Sequence, residues 1–150
     1  MPSSTPALTR ETLGAWLIKT RPDSTSVGDL RPSGLAAVTT RCVRRSYRTE
    51  LIESDQPVLL WVSGSDRQHP PGIHAVGRTT GAAVVDRDGQ LVMPVELEPL
   101  SRPVPRAELL AHPVLSQLEV LRMSAGSNPS FLTHRHLDEL RHGWPQTKAL

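Results

Sequence analysis

Two apolar runs separated by a polar loop stand in the middle of the chain. Pro57-Val-Leu-Leu-Trp-Val carries no charge, and Gly72-Ile-His-Ala-Val-Gly follows after a loop rich in Ser, Asp and Pro. Short uncharged runs with Val and Ile, bounded by turn residues, are typical of strands buried on both faces. The pattern predicts two strands that bring Trp61 and Ser63 to the edge of one loop, an arrangement that favours a binding pocket over a catalytic centre.

Other segments predict further strands and short helices. Ala15–Thr20 is an apolar strand pattern, and Asp86-Arg-Asp-Gly between two apolar segments predicts a hairpin turn. Between Arg41 and Leu51 the arginines recur at i, i+3, i+4 and i+7, which predicts an amphipathic helix with an arginine face. Thr133 is a suitable N-cap for a last helix that extends to about Arg141.

Strands therefore outnumber helices, and the helices are short and lie between strands. This order predicts an α/β (α+β) fold, a small mixed barrel with short peripheral helices. We expect the domain to span residues 15–143, with a flexible N-terminal tail at 1–14 and a C-terminal tail at 144–150. A chain of 150 residues is long enough for one domain with a core of its own.

Composition narrows the function classes. The single Cys42 excludes an internal disulfide and indicates a reducing compartment, and we expect a cytoplasmic protein without a membrane span. Net charge is only +2, yet four of the eight residues from Arg41 to Arg48 are arginine, so the basic character is local. A basic helical face is suited to nucleic-acid phosphates.

The sequence offers little for catalysis, and it predicts no metal or cofactor. His134 and His136 are two residues apart, so on a helix they point to different sides and cannot chelate one ion. No phosphate-binding glycine loop and no Gly-x-Ser-x-Gly element are present around Ser63 or elsewhere. No catalytic residue is therefore predicted.

Four segments, in this order, resemble one known family. They are Trp16-Leu-Ile-Lys-Thr-Arg-Pro-Asp, Cys42-Val-Arg-Arg-Ser-Tyr-Arg-Thr-Glu-Leu, Val58-Leu-Leu-Trp-Val-Ser-Gly and Arg122-Met-Ser-Ala-Gly-Ser-Asn-Pro-Ser. Together they are similar to the EVE domain of the PUA-like superfamily, which is related to the YTH readers of methylated RNA. The resemblance extends from Trp16 to about Leu140 and implies a small mixed PUA-like barrel. The chain departs from the family where Thr40 and Arg41 replace a frequent Trp.

The resemblance implies a non-catalytic module that binds DNA or RNA carrying a modified base, with the base in a pocket at the end of the barrel. We expect Asn128 to read the base edge and Arg44 to contact a phosphate. The implied base pocket comprises Cys42, Val43, Trp61, Ser63, Met123, Ser127, Asn128 and Pro129. The implied contacts to the nucleic-acid backbone are Arg41, Arg44, Arg45 and Arg48.

Two alternatives remain at this stage. One is a small amidohydrolase of modified nucleosides, for which Lys19 is the obvious candidate base, since the other lysine, Lys148, lies near the C-terminus. The other is a protein-interaction module whose arginine face binds an acidic partner, and a barrel centre filled with side chains would favour it.

Overall fold

The computed structural model describes residues 7–20, 38–63, 70–123 and 126–150. The loop after Ser63 and the expected tail at 1–6 lie outside these residues. The strands are Leu13–Thr20 (β1), Thr40–Cys42 (β2), Pro57–Val62 (β3), Gly72–Thr79 (β4), Val84–Val85 (β5), Leu91–Pro105 (β6) and Ser130–Thr133 (β7). The α-helices are Arg106–Leu110 (α1), Glu119–Arg122 (α2) and His134–Gly143 (α3). Short 3-10 helices span Tyr47–Leu51, Leu115–Gln117 and Pro145–Thr147.

The described strands form one mixed sheet. Its order is β2-β6-β4-β3-β1-β7, with β5 also paired to β6. β1 and β3 run in parallel, with Trp16 opposite Val58, while β3 and β4, β4 and β6, and β1 and β7 pair antiparallel. The predicted hairpin is confirmed, because β5 pairs with β6 and Gly89 adopts a φ of 79° in the turn between them.

Apolar residues on both faces of the central strands produce two cores. Trp16 and Leu60 belong to an inner cluster that also includes Met93 of β6 and Val43, the residue after β2. These residues come from strands far apart in the sheet order, so the sheet curls around them into a half-barrel. Leu17 and Leu59 point the other way, into an outer cluster. The outer cluster is covered by the helices, which contribute Leu109, Leu115, Leu137 and Leu140.

The predicted helix over Arg41–Leu51 is wrong. Arg41 lies in β2 opposite Met93, the chain stays outside any helix through residue 46, and only Tyr47–Leu51 is helical, as a 3-10 turn. Ser46 caps this turn by accepting a hydrogen bond from the amide of Arg48. Backbone pairing of β2 with β6 therefore outweighs the local periodicity of the arginines.

The last helix is confirmed. Thr133 is its N-cap and forms a capping box with His136, while Leu137 and Leu140 are buried against the sheet. Parts of both expected tails pack against the two cores. Leu8 and Leu13 are buried in the inner cluster, and Trp144 and Leu150 are buried in the outer cluster, because these apolar side chains complete the edges of the cores. In the described part of the chain, no helix is long and apolar enough to span a membrane.

Candidate nucleic-acid interface

A cleft of about 240 Å³ lies beside the half-barrel, between two short segments. One wall is residues 44–48 and the other is residues 127–129. The lining residues are Arg44, Arg45, Ser46, Tyr47, Arg48, Ser127, Asn128 and Pro129. The volume is below the roughly 300–1,000 Å³ of pockets for drug-sized ligands. The cleft is therefore small for a ligand pocket.

A backbone hydrogen bond joins the two walls of the cleft. The amide of Arg44 donates to the carbonyl of Asn128 over 2.9 Å. The side chain of Asn128 then bonds to β1: its Oδ1 accepts from the amide of Lys19 at 2.7 Å, and its Nδ2 donates to the Lys19 carbonyl at 3.0 Å. The side-chain amide of Asn128 thus pairs with the backbone of Lys19 as a neighbouring strand would.

The predicted role of Asn128 as an edge-reading amide stays a prediction, and the side-chain contacts in this structure do not favour it. Its oxygen and its nitrogen are both engaged by the Lys19 backbone, and Nδ2 has a further, longer contact of 3.4 Å with the Cys42 carbonyl. Reading a base would break bonds that connect the cleft to β1. Asn128 lines the cleft, and its side chain also fixes the 127–129 segment to β1.

The four arginines have three different environments. Arg41 is buried at 9% exposure, its Nη2 donates to the Lys19 carbonyl at 3.2 Å, and burial lowers the pKa of its guanidinium. Arg48 is tied to Glu119 by two hydrogen bonds of 2.8 Å each. Arg44 and Arg45 are exposed, and their side chains form no ion pair within the described residues. The expected single arginine face is thus absent, and of these four arginines Arg44 and Arg45 have exposed side chains while Arg41 is buried and Arg48 is paired.

Tyr47 is a cleft residue that the sequence analysis missed. Its ring is 50% exposed and lines the cleft, while its hydroxyl oxygen accepts a hydrogen bond of 3.2 Å from the amide of Leu8. On a helix over 41–51, Tyr47 would lie four residues from both Val43 and Leu51, on an apolar face opposite the arginines. A usable signal was present in the sequence, because this is the only Tyr of the chain and it stands among arginines.

Other residues of the expected base pocket are dispersed. Trp61 is 3% exposed and packs in the outer cluster, because strand alternation turns it away from its neighbours Leu60 and Val62. Its expected place in the pocket beside Asn128 is therefore wrong. Ser63 donates its amide to the Thr20 carbonyl at 2.7 Å and does not line this cleft.

Three further residues of the predicted pocket lie near the cleft without lining it: Cys42, Val43 and Met123. Val43 is buried in the inner cluster, and Cys42 is exposed next to it. Met123 follows α2 and is 62% exposed. Ser127 and Pro129 line the cleft as expected. Of the eight predicted pocket residues, the structure places three in this cleft.

The ionisable groups around the cleft carry a net positive charge. Hydrogen bonds from Arg48, then from Ser130, hold the pKa of the Glu119 carboxyl below its ordinary value of 4.5, against the opposing effect of burial. The same pair raises the pKa of the Arg48 guanidinium, so the two charges cancel. Arg44 and Arg45 consequently dominate the local charge.

No metal centre is formed by the described residues: no group of three or more His, Cys, Asp or Glu side chains converges there. Lys19, the candidate base of the amidohydrolase alternative, donates its ammonium to the carbonyl of Gly126. Burial lowers the pKa of that ammonium, while the charge of Glu119 raises it. The hydrogen bond to Gly126 connects the end of β1 to the loop before Ser127.

A mixed sheet curled into a half-barrel, with short helices on its outer face, is the PUA-like fold of the EVE and DUF55 domains. The chain has this fold, and the predicted fold class is confirmed. No family model and no curated protein matches the sequence.

Several solved structures are similar to this chain in fold. A protein from Rhodopseudomonas palustris, solved by NMR, has a TM-score of 0.65 and 18% sequence identity, over 92% of this chain and 95% of that chain. The human THYN1 protein in complex with DNA containing 5-methylcytosine has a TM-score of 0.61 and 18% identity, over 84% of this chain and 94% of that chain. The DUF55 domain of human thymocyte nuclear protein 1 has a TM-score of 0.58 and 19% identity, over 84% and 95% respectively.

Proposed function

We propose that this protein is a non-catalytic nucleic-acid-binding module whose contact surface is the cleft. The observation that carries the proposal is the pair of exposed arginines, Arg44 and Arg45, beside the half-exposed ring of Tyr47. Guanidinium groups without a protein partner are available to phosphates, and every base has a face that stacks on an aromatic ring.

The division of roles follows from the geometry. Arg44 and Arg45 contact the backbone phosphates and supply most of the affinity, which is therefore sensitive to salt. Tyr47 stacks one base, and its tethered hydroxyl keeps the ring in place. Ser127 is exposed on the opposite wall and provides a hydroxyl for the base edge, a role that the side-chain contacts of Asn128 do not favour for its amide.

A modified base is the finer part of the proposal. The human THYN1 protein shares the fold and was solved with DNA containing 5-methylcytosine, which supports a methylated base as the first ligand to test. A cleft of about 240 Å³ accepts a single base outside a base stack.

The test is a titration with labelled single-stranded oligonucleotides, DNA and RNA, with and without 5-methylcytosine, over a range of salt concentrations. Arg44→Met and Arg45→Met should each weaken binding and lower the slope of log K against log salt by about 0.7. Arg135→Met is the matched control, because this exposed arginine lies in α3 beyond Thr133, which pairs with Leu13 at the far end of β1.

Three results decide the matter. Absence of binding to every oligonucleotide overturns the proposal. An equal loss in the Arg135 variant and in the Arg44 and Arg45 variants also overturns it, because the contact would then not be local to the cleft. Equal affinity for methylated and unmethylated strands overturns the modified-base part alone.

A further inference from the structure

Arg48 reaches from one wall of the cleft to groups that belong to the other side. Its Nη1 and Nη2 each donate to one oxygen of the Glu119 carboxylate at 2.8 Å, in a bidentate arrangement. Nη1 also donates to the carbonyl of Pro129 at 3.1 Å. The guanidinium carbon lies 4.9 Å from the centre of the Phe131 ring. One side chain thus joins the 3-10 turn, α2, the 127–129 wall and β7.

The carboxylate at the centre of this network is itself fixed. Glu119 lies in the first turn of α2 and also accepts a hydrogen bond of 2.9 Å from the hydroxyl of Ser130. The side chains of Arg48 and Glu119 are only 22% and 27% exposed, so their ion pair is screened less than a surface pair. Bidentate Arg–carboxylate pairs also fix direction, which a single bond does not.

The network also fixes the position of Tyr47, because Arg48 is its neighbour in the chain. Arg48 is the next residue after Tyr47, so anchoring its guanidinium also places the ring that faces the cleft. Its other anchor, the Pro129 carbonyl, belongs to the opposite wall. The spacing between the tyrosine ring and the 127–129 wall is therefore set by Arg48 and Glu119.

Building on the proposed function, we propose that Arg48 is a positioning residue: through Glu119 and Pro129 it sets the width of the cleft and thereby its affinity for a base, without contacting the nucleic acid. This differs from the role that the sequence assigns to Arg48, a direct phosphate contact. The two roles give opposite expectations for one substitution.

That substitution is Glu119→Gln. If Arg48 bound phosphate, removing the carboxylate would free the guanidinium and delete a repelling negative charge, so binding would become tighter. If Arg48 positions the cleft, Glu119→Gln loosens the network and weakens binding, by about fivefold for groups coupled in one network. Arg48→Met should weaken binding by a similar factor with an unchanged salt slope, and the double variant should be no weaker than either single variant.

A second measurement does not depend on any ligand. The amide of Arg44 donates across the cleft to Asn128, so its hydrogen exchange reports whether the walls stay together. Exchange at Arg44 should accelerate in Arg48→Met and in Glu119→Gln, while exchange at Leu60 in the core of β3 stays at the wild-type rate. Arg48→Lys keeps the charge without the bidentate geometry, and it should behave like Arg48→Met. It also serves as the second variant if Arg48→Met fails to fold.

The outcomes separate the two proposals. Tighter binding by Glu119→Gln, or a lower salt slope in Arg48→Met, overturns the positioning role and leaves the proposed function intact. Unchanged exchange at Arg44 in these variants overturns the positioning role as well. If the wild-type protein binds no oligonucleotide, the proposed function is overturned together with the affinity role of Arg48 that rests on it, whatever the exchange at Arg44 shows in the variants.

Discussion

Neighbouring residues of one segment lie in two different places: some are buried in the interior of the half-barrel, and others are exposed at the cleft beside it. Val43 is buried in the inner cluster, while its neighbour Arg44 is exposed at the cleft. Thr49 is buried at 6% exposure, while Tyr47 is 50% exposed. The interior is filled by large side chains such as Trp16 and Leu60, which are fully buried, so its role is stability. The cleft holds Arg44 and Arg45, whose side chains form no ion pair within the described residues.

A nucleic acid is therefore expected to bind at the cleft and not in the interior of the half-barrel. The filled interior would favour a protein-interaction module if the interior were the only candidate site for a base. The cleft provides an open site with two cations and an aromatic ring. Substitutions in the two cores should therefore change the free energy of unfolding, and substitutions in the cleft should change affinity.

The largest effect is expected for Trp61→Ala in the outer cluster. Loss of a fully packed indole should lower the free energy of unfolding by about 3–5 kcal/mol, since the cavity is only partly refilled. Denaturant unfolding measures this change. Oligonucleotide affinity of the fraction that remains folded should match the wild type, and a selective loss of affinity at unchanged stability would return Trp61 to the binding site.

A smaller effect, with the opposite signature, is expected for Tyr47→Ala. Binding should weaken by about 1–3 kcal/mol, the contribution of one stacked base. Tyr47→Phe keeps the ring and loses only the hydroxyl that accepts from Leu8, so it should retain most of the affinity. Fluorescence anisotropy with a single-stranded oligonucleotide measures both variants. Equal losses in the two would show that the hydroxyl, and not the ring, carries the contact.

A smaller effect still concerns pH. The pKa of Glu119 is lowered in the folded protein, mainly by hydrogen bonds from Arg48, so the pair stabilises the fold fully above the ordinary value of 4.5. The stabilisation is lost as pH falls from there through the lowered folded pKa. The difference in free energy of unfolding between wild type and Glu119→Gln should therefore shrink as pH is lowered below about 4.5. A difference that grows on acidification would contradict this assignment.

The sequence predicted an element correctly where its pattern of apolar residues showed which side chains are buried. β3 was predicted with its observed bounds, because an uncharged run is apolar on both faces in any register. α3 was predicted because Thr133 caps it and Leu137 and Leu140 face the core. The helix predicted from the arginines of 41–48 was wrong, because charged residues at helical spacing do not indicate which side chains are buried.

The candidate site was less predictable, for reasons of distance along the chain. Arg48 finds Glu119 at a separation of 71 residues, and Asn128 finds Lys19 at 109. Neither pairing leaves a local trace in the sequence. The resemblance to the EVE domain did bring the segments around Arg44 and Asn128 together, and the structure confirms this proximity by the bond between them. It did not indicate that the amide of Asn128 is already engaged.

Chemical-shift mapping during titration with a methylated single-stranded oligonucleotide locates the nucleic-acid-binding surface residue by residue. The amides of residues 44–48, Ser127 and Asn128 should shift together, in proportion to bound ligand, while those of α3 remain in place. Shifts centred on α3, or on any surface away from these two segments, would contradict the claim that the cleft is the nucleic-acid-binding site.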